Sequence, residues 1–207
     1  SFVLRECSVT ATENALMLAA SIPATTTIHF AATEPHVADL CAFLQSMGAT
    51  IEGVGTHTLV VTGQVELHGA ELTIIPDANE AATFLILGVA TKSPIEVVGA
   101  REEHLLVVLE KLREFGAAFT ITKDSITVIP QEKLTAVTKV DTMIYPGIPT
   151  DTQAPFGVLA AVAEGTTLVH DPLFEGRFNY VPELQKMGVR ARVLNPHQVE
   201  ITGGKKL

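Results

Sequence analysis

The chain has 207 residues, of which 47% are hydrophobic, 5% aromatic and 18% charged, and its formal net charge is −9. This acidic balance argues against nucleic acid and anionic membrane surfaces as partners, because both repel a negatively charged protein. The longest apolar runs are about a dozen residues, interrupted by threonine, serine or glycine, and are too short to cross a bilayer. The composition therefore predicts a soluble globular protein with one good core or two modest ones.

The cysteines and histidines indicate neither a disulfide framework nor a metal site. Cys7 and Cys41 have no metal-ligand spacing, and no basic leader precedes an apolar segment, so we expect a cytoplasmic protein. We expect Cys41 in the core and Cys7 to be more exposed, with Glu6 raising the pKa of the Cys7 thiol. Five of the seven histidines, His36, His68, His104, His170 and His197, are scattered without ligand spacing, so we expect no metal and no cofactor.

The sequence repeats itself three times, with units at about residues 8–66, 67–134 and 135–204. Each unit reads as an apolar helix, a strand, an amphipathic helix and two further strands. The phrases QSMGATIE, REFGAAFT and QKMGVRAR close the amphipathic helices, and their glycines are predicted left-handed caps: Gly48, Gly116 and Gly188. The repetition predicts an α/β fold of βαβαββ units around a pseudo-threefold axis.

The elements follow the same order in every unit. The first helices are ENALMLAAS, AATFLILGVAT and QAPFGVLAAVAEG, which are apolar on every face, so we expect protein to surround them. The strands that follow are TTTIHFA, PIEVVGA and TTLVHDP, rich in β-branched residues. The amphipathic helices keep one wet face. The closing strands are TLVVTG, SITVIP and QVEITG.

The stretch YPGIPTDTQAPF, residues 145–156, places three prolines and a glycine around a helix start. Prolines favour a rigid extended entry, with Thr150 or Asp151 as candidate cap of the helix. A carboxylate at a helix N-terminus stays ionised and points into the space above that end, although a plain cap is the alternative for Asp151. Other residues at helix starts are also interpreted first as caps: Glu13, Asn79 and Glu80.

Three stretches carry a resemblance to a known family: SVTATENALMLAA, LHGAELTIIPDANEAATFL, and PTDTQAPF followed by AVAEGTT and FEGRFNYVPELQKMG. They resemble enolpyruvyl transferases of the UDP-N-acetylglucosamine 1-carboxyvinyltransferase family. The motifs occur in the family's order and cover nearly the whole chain. The related enolpyruvyl transferase of the shikimate pathway shares the architecture but not the sequence motif around Asp151.

The resemblance implies a fold and a domain boundary. Family members have six βαβαββ units in two domains, each a pseudo-threefold inside-out α/β barrel, with the active site in the cleft between them. They are roughly twice as long as this chain, because they have six such units and this chain has three. This chain matches the last unit of one domain and the first two of the other, so the inter-domain crossing is expected near residues 73–77.

The resemblance also implies a reaction: transfer of an enolpyruvyl group from phosphoenolpyruvate to the 3-hydroxyl of UDP-N-acetylglucosamine, the first committed step of peptidoglycan synthesis. Such chemistry needs a general base, a general acid and cations. Asp151 matches the aspartate that acts as base. Arg177 matches an arginine of the cleft, where its planar guanidinium can bind an anion. A surface ion pair with Glu175 or Glu183 is the alternative for Arg177.

Two further segments match substrate contacts of the family. Leu173 matches a residue whose backbone touches the N-acetyl sugar. Ser8, Val9 and Thr10 match a segment that contacts the diphosphate through main-chain N–H groups and a hydroxyl, as a helix N-terminus can. The chain departs from the family at Glu6, where a lysine is common, and at Thr10, where the family has a glycine.

Other functional parts of the family lie outside the matched region. They are an N-terminal lysine–asparagine pair, a mobile loop with a catalytic cysteine and an arginine, and late arginines, none of which has a counterpart here. We therefore expect part of an enzyme that is inactive or nearly so alone. Two alternatives stay open: a non-catalytic half-length relative that acts as a binding or dimerisation module, and an active homodimer. The expected partners are the two substrates and either a second copy or a complementary half.

Overall fold

The computed structural model describes residues 1–64 and 66–204. The chain divides into two compact units, an N-terminal unit Ser1–Ile75 and a C-terminal unit Pro76–Leu207. This division lies within residues 73–77, where the inter-domain crossing of the family is expected. It stays a prediction that this division is the family's inter-domain crossing.

The N-terminal unit contains one repeat built on a mixed four-stranded sheet. Its elements are β1 Phe2–Val3, α1 Val9–Ala20, β2 Thr25–His29, α2 Pro35–Ser46, β3 Thr50–Glu52 and β4 Thr58–Thr62. The strand order is β1-β2-β4-β3, with β1 parallel to β2 and the other neighbours antiparallel. One face of the sheet packs on both helices, because alternate strand residues point to the same side.

The core of this unit confirms the expected place of Cys41. Ile28 on β2 and Val61 on β4 are fully buried, and they belong to one cluster with Leu16 of α1 and Cys41 of α2. Burial raises the pKa of the Cys41 thiol to about 11. The side chain therefore behaves as a small apolar residue rather than as a nucleophile.

The C-terminal unit contains two repeats. The first consists of α3 Ala78–Ala90, β5 Glu96–Val98, α4 Glu102–Glu114, β6 Ala118–Ile121 and β7 Ser125–Ile129. The second consists of β8 Lys139–Asp141, α5 Gln153–Val162, β9 Thr166–His170, α6 Val181–Lys186, β10 Arg190–Asn195 and β11 Gln198–Thr202. Their sheets have the orders β5-β7-β6 and β10-β11-β9-β8, and β8 is parallel to β9.

The order predicted from the sequence, helix, strand, helix and two strands, occurs in all three repeats. The first and third repeats also begin with a short strand parallel to the next one, which completes the βαβαββ pattern. The middle repeat has no leading strand, because residues 66–77 form neither helix nor strand.

The predicted glycine caps are confirmed. Gly48, Gly116 and Gly188 have φ angles of 110°, 96° and 91°, a region that residues with a Cβ atom rarely adopt. The amide following each glycine donates to the carbonyl five residues before it, as Ala49 does to Leu44 at 3.1 Å. Each glycine thus ends its helix and sends the chain into the next strand.

The predicted burial of the apolar helices is only partly right. Side chains on one face of each are exposed, among them Met17 and Leu18 of α1, and Phe84 and Leu87 of α3. The opposite face of α3 packs on α5, β5 and β7. α3 and α4, the longest described helices, have 13 residues each, and no described helix meets the length and hydropathy that a membrane span requires.

Candidate active site

The segment that leads into α5 differs from the predicted helix start. Pro149 is extended, Thr150–Thr152 forms one 3-10 turn, and α5 begins only at Gln153. Within the turn, the buried Thr152 donates its backbone N–H and its hydroxyl to the carbonyl of Pro149, at 3.0 and 2.7 Å. Neither Thr150 nor Asp151 makes a capping hydrogen bond, so the prediction of a cap was wrong. The side chains of Thr150 and Asp151 instead contact Asp171, Arg177 and Asn79.

The Asp151 carboxylate lies between two donors while staying open to solvent. Its Oδ1 accepts a hydrogen bond from Arg177 Nη1 at 3.1 Å, and its Oδ2 accepts a longer one from Asn79 Nδ2 at 3.4 Å. The Asp151 side chain is 58% exposed. A carboxylate held at both oxygens and still accessible can meet a ligand hydroxyl without rearrangement.

Arg177 is bound by groups other than the acidic neighbours expected from the sequence. Its Nη1 donates to Thr150 Oγ1 at 2.8 Å as well as to Asp151. Its guanidinium carbon lies 4.8 Å from the centre of the Phe174 ring, within cation–π range. The predicted alternative of a pair with Glu175 or Glu183 was wrong, because those carboxylates lie near His197 and Lys186.

Leu173 lies in a tight turn organised by Asp171. The Asp171 side chain is fully buried, and its Oδ1 accepts from the backbone N–H groups of Leu173 and Phe174 at 3.0 and 3.1 Å. The other oxygen accepts from the Thr150 hydroxyl. Because the Leu173 N–H is used inside the turn, its carbonyl is the backbone group left for a ligand.

The segment Ser8, Val9 and Thr10 belongs to the N-terminal unit, at the start of α1. Ser8 is the N-cap, and its Oγ accepts from the N–H of Ala11 at 3.3 Å. The Thr10 hydroxyl lies 3.4 Å from the Ser8 hydroxyl. The first N–H groups of a helix have no intrahelical acceptor, so those of Val9 and Thr10 can be offered to an anion.

Cys7, next to this helix start, is not an activated thiol. Its Sγ lies 3.4 Å from the carbonyl oxygen of Ala31. Burial raises the pKa of the thiol, and the negative charge of Glu34 raises it further. The direction of the shift agrees with the prediction, but the acidic neighbour responsible is Glu34 and not Glu6.

Reasoning from the sequence missed several residues of the site. Asn79 contacts Asp151 instead of capping α3, because Asp77 is the cap and accepts from the N–H groups of Asn79 and Glu80 at 2.7 and 3.1 Å. Likewise, the cap of α1 is Ser8 and not Glu13. Asp171 carried one usable signal, since an aspartate directly after a strand and before a proline is typical of a side chain that caps a turn.

The C-terminal unit therefore joins Asp151, Arg177 and the Leu173 turn into one cluster, which also includes Asn79 and Thr150. The cluster offers an accessible carboxylate beside a guanidinium whose Nη2 and Nε have no acceptor among residues 1–64 and 66–204. In an α/β fold of repeated units, this arrangement is suited to a hydroxyl and an anion bound side by side, as in the class of α/β proteins that bind anionic ligands.

Comparisons with known proteins agree with this class. The chain belongs to the EPSP synthase (3-phosphoshikimate 1-carboxyvinyltransferase) family, whose model matches residues 1–207. It is 43% identical to the UDP-N-acetylglucosamine 1-carboxyvinyltransferase of Sulfurimonas denitrificans, over 100% of this chain and 49% of that relative. It is 44% identical to the enzyme of the same name from Mycolicibacterium paratuberculosis, over 93% of this chain and 46% of that relative.

A solved relative confirms the predicted fold class. The enolpyruvyl transferase NikO from Streptomyces tendae superposes with a TM-score of 0.85 and 29% sequence identity, over 94% of this chain and 46% of that chain. The fold is thus the inside-out α/β barrel type of the enolpyruvyl transferases, although the described sheets are open and form no closed barrel. The chain spans about half the length of the curated relatives it matches.

Proposed function

We propose that this chain supplies part of the active site of an enzyme that transfers the enolpyruvyl group of phosphoenolpyruvate to the 3-hydroxyl of UDP-N-acetylglucosamine. That reaction is the first committed step of peptidoglycan synthesis. The names of the relatives support UDP-N-acetylglucosamine as the acceptor and a carboxyvinyl group as the group transferred. The observation that carries the proposal is the Asp151 carboxylate, which is accessible, caps no helix and is held by Arg177.

In this proposal Asp151 is the general base. The sugar hydroxyl would give its proton to the carboxylate while its oxygen forms a bond to C2 of phosphoenolpyruvate, and the electron pair of the C2=C3 double bond would take a proton at C3 from a general acid outside this chain. Loss of a proton from C3 and of phosphate from C2 would then restore the double bond. Arg177 and Asn79 hold the two oxygens in one orientation, so the carboxylate need not reorganise when the hydroxyl arrives. Preorganisation of this kind lowers the barrier, because the cost of orientation is met during folding.

Arg177 can serve as the anion-binding group beside this base. Only one of its terminal nitrogens is engaged with Thr150 and Asp151. In the described part of the chain no acceptor is found for the other terminal nitrogen or for Nε. These N–H groups form one edge of the planar guanidinium, which suits a phosphate or carboxylate with two oxygens.

The remaining predicted contacts belong to the same proposal. The Leu173 carbonyl would accept from the N-acetyl group of the sugar. The N–H groups of Val9 and Thr10, with the Ser8 hydroxyl, would meet the diphosphate at the start of α1. A location in the cytoplasm is also part of this proposal, and the two free thiols, Cys7 and Cys41, are consistent with it.

We expect the chain alone to be inactive or nearly so. The sequence has no counterpart of the family's acid-bearing loop or of its remaining cationic residues. Each such electrostatic contact is worth several kcal/mol of transition-state stabilisation, so their joint loss removes most of the rate enhancement. The missing groups would come from a complementary half, or from a second copy in the case of an active homodimer.

A second candidate function is a non-catalytic binding or dimerisation module. The observation that favours it is the exposed apolar face of the first helices, which includes Leu18 of α1 and Phe84 of α3. Exposed apolar residues on a helix face are typical of interaction sites. Light scattering of the purified chain separates this candidate from a monomeric fragment.

The test is a chimera in which this chain replaces the matching half of the Sulfurimonas denitrificans relative. Phosphate release would be measured with phosphoenolpyruvate and either UDP-N-acetylglucosamine or shikimate 3-phosphate as acceptor. We expect turnover with the nucleotide sugar in the chimera and almost none in the isolated chain. A folded chimera that releases no phosphate with the nucleotide sugar, or that prefers shikimate 3-phosphate, would contradict the proposal.

A further inference from the structure

We propose that the buried Asp171 is a positioning residue, which acts through the Thr150 hydroxyl to hold Arg177 in the orientation that meets Asp151. The role of this relay in catalysis rests on the proposed function. The contacts themselves are properties of the C-terminal unit and can be tested without it.

The direction of each hydrogen bond in the relay follows from the chemistry of its members. A guanidinium can only donate, so Thr150 Oγ1 is the acceptor of the 2.8 Å bond from Arg177. The hydroxyl proton must then point elsewhere, and the second oxygen of the Asp171 carboxylate accepts it. An ionised carboxylate only accepts, so both hydrogen bonds run in one direction: Arg177 donates to Thr150, and Thr150 donates to Asp171.

Asp171 is a rigid anchor because its other polar groups are also bonded. Besides the N–H groups of Leu173 and Phe174, Asp171 contacts His197 in the turn before β11. Its backbone N–H donates to the His197 carbonyl at 2.8 Å, and its carbonyl accepts from His197 Nδ1 at 2.7 Å. A buried carboxylate with every oxygen satisfied resists movement, since any displacement leaves an unpaired charge.

The same carboxylate reaches Arg177 by a second route. It fixes the backbone of Phe174, and the ring of Phe174 lies under the guanidinium. The guanidinium needs such support, because the side chains of Arg177 and Asp151 are 41% and 58% exposed. Exposed ion pairs have little energy of their own with which to fix a long side chain. The orientation of Arg177 must therefore come from Thr150 and Phe174, which the buried Asp171 holds in place.

Thr150→Val, Thr150→Ser and Asp171→Asn test the relay in the 207-residue chain. Valine has the shape of threonine but can neither accept from Arg177 nor donate to Asp171, whereas serine can do both. Asparagine still accepts from the turn N–H groups, but it removes the charge that binds the Thr150 proton. Thr166→Val is the matched control, because the Thr166 hydroxyl pairs only with that of Thr202, at 3.0 Å among the described residues.

The readout is nuclear magnetic resonance of the Arg177 guanidinium in arginine-labelled protein, with Arg177→Lys to assign its signals. A guanidinium nitrogen that donates two hydrogen bonds rotates slowly, so its protons give resolved signals. We expect resolved signals in the wild type, Thr150→Ser and Thr166→Val, and averaged signals in Thr150→Val and Asp171→Asn. Backbone spectra report whether each variant folds. Resolved Arg177 signals in a folded Thr150→Val chain would overturn the relay.

The catalytic meaning is tested in the chimera described above. We expect Thr150→Val to lower kcat/KM by about tenfold, which is the size of a lost charge-assisted hydrogen bond, and Thr150→Ser to recover most of it. Unchanged kcat/KM in Thr150→Val, with the Arg177 signals averaged, would overturn the positioning role. A wild-type chimera without activity would contradict the proposed function instead, and the Arg177 signals would still decide the relay.

Discussion

At the scale of single residues, the ion pair between Asp151 and Arg177 adds little to the free energy of unfolding. Both side chains are well exposed, and pairs of this kind contribute at most about 1 kcal/mol to folding. What distinguishes the pair is its surroundings: a buried carboxylate behind Thr150, an aromatic ring under the guanidinium, and an amide at the second carboxylate oxygen. These contacts hold the two charges in one geometry.

Arg177→Lys tests that view at the residue scale. Lysine keeps the charge but lacks the planar fork, so it cannot bond Thr150 and Asp151 while presenting a second edge to an anion. We expect kcat/KM of the chimera to fall at least tenfold while the free energy of unfolding changes by less than about 1 kcal/mol, as for other exposed pairs. Steady-state kinetics and urea unfolding would measure the two quantities.

Arg192→Lys is the control for this substitution. Arg192 forms an exposed pair with Glu200 at 4.0 Å on β10 and β11. Neither quantity should change in that variant. Equal losses of activity in the two variants would show that Arg177 has no special role.

At the scale of elements, the close packing of α5 depends on a glycine in its middle. A Cβ atom at Gly157 would lie 2.5 Å from the hydroxyl oxygen of Tyr180, at the start of α6. That hydroxyl is buried, and burial together with the charge of Asp171 raises the pKa of the phenol. Because two ring carbons of Tyr180 would also lie 2.7 and 2.9 Å from that Cβ atom, α5 and α6 approach this closely only with glycine at this position.

We therefore expect Gly157→Ala to destabilise the chain by about 1 to 3 kcal/mol, the usual cost of overpacking, although alanine is the better helix former. Urea unfolding followed by circular dichroism would measure it. Gly69→Ala is the control, since a Cβ atom there meets nothing within 4 Å, and it should be close to neutral. A Gly157→Ala chain as stable as the wild type would show that the Tyr180 ring adapts freely.

The elements were predictable because their signals are local. β-branched runs, helical spacing and the glycine after each amphipathic helix identified the three repeats, and their strands lie where those runs predicted. The contacts of Asp151 were not predictable, because Arg177 is 26 residues away in the sequence and Asn79 is 72. The predicted cap at Thr150 or Asp151 was wrong because residues 150–152 form a 3-10 turn and α5 begins at Gln153. Helix propensities do not distinguish a 3-10 turn from the first turn of an α-helix.

At the scale of the whole molecule, the exposed apolar helix faces predict self-association of the isolated chain. Leu87 of α3 and Leu106 of α4 are both exposed leucines, but Leu87 belongs to a helix that is apolar on every face and Leu106 to the wet side of an amphipathic one. Leu87 should therefore take part in an interface, whereas Leu106 should stay in contact with water.

We expect light scattering to show dimers or larger species of the wild type at high concentration. Leu87→Glu should shift the population toward monomers, because a buried unpaired carboxylate is costly, and Leu106→Glu should not. A wild-type chain that stays monomeric at every concentration would contradict this prediction and the dimerisation module with it.

Asp151→Asn in the chimera with the Sulfurimonas denitrificans relative tests the central claim most directly. Asparagine keeps the shape and can still accept from Arg177, but it cannot take the hydroxyl proton. We predict that phosphate release in the presence of UDP-N-acetylglucosamine falls at least about a hundredfold, the usual contribution of a general base, while Asp124→Asn in the turn between β6 and β7 has no effect. Turnover in Asp151→Asn equal to that of the wild-type chimera would contradict the account.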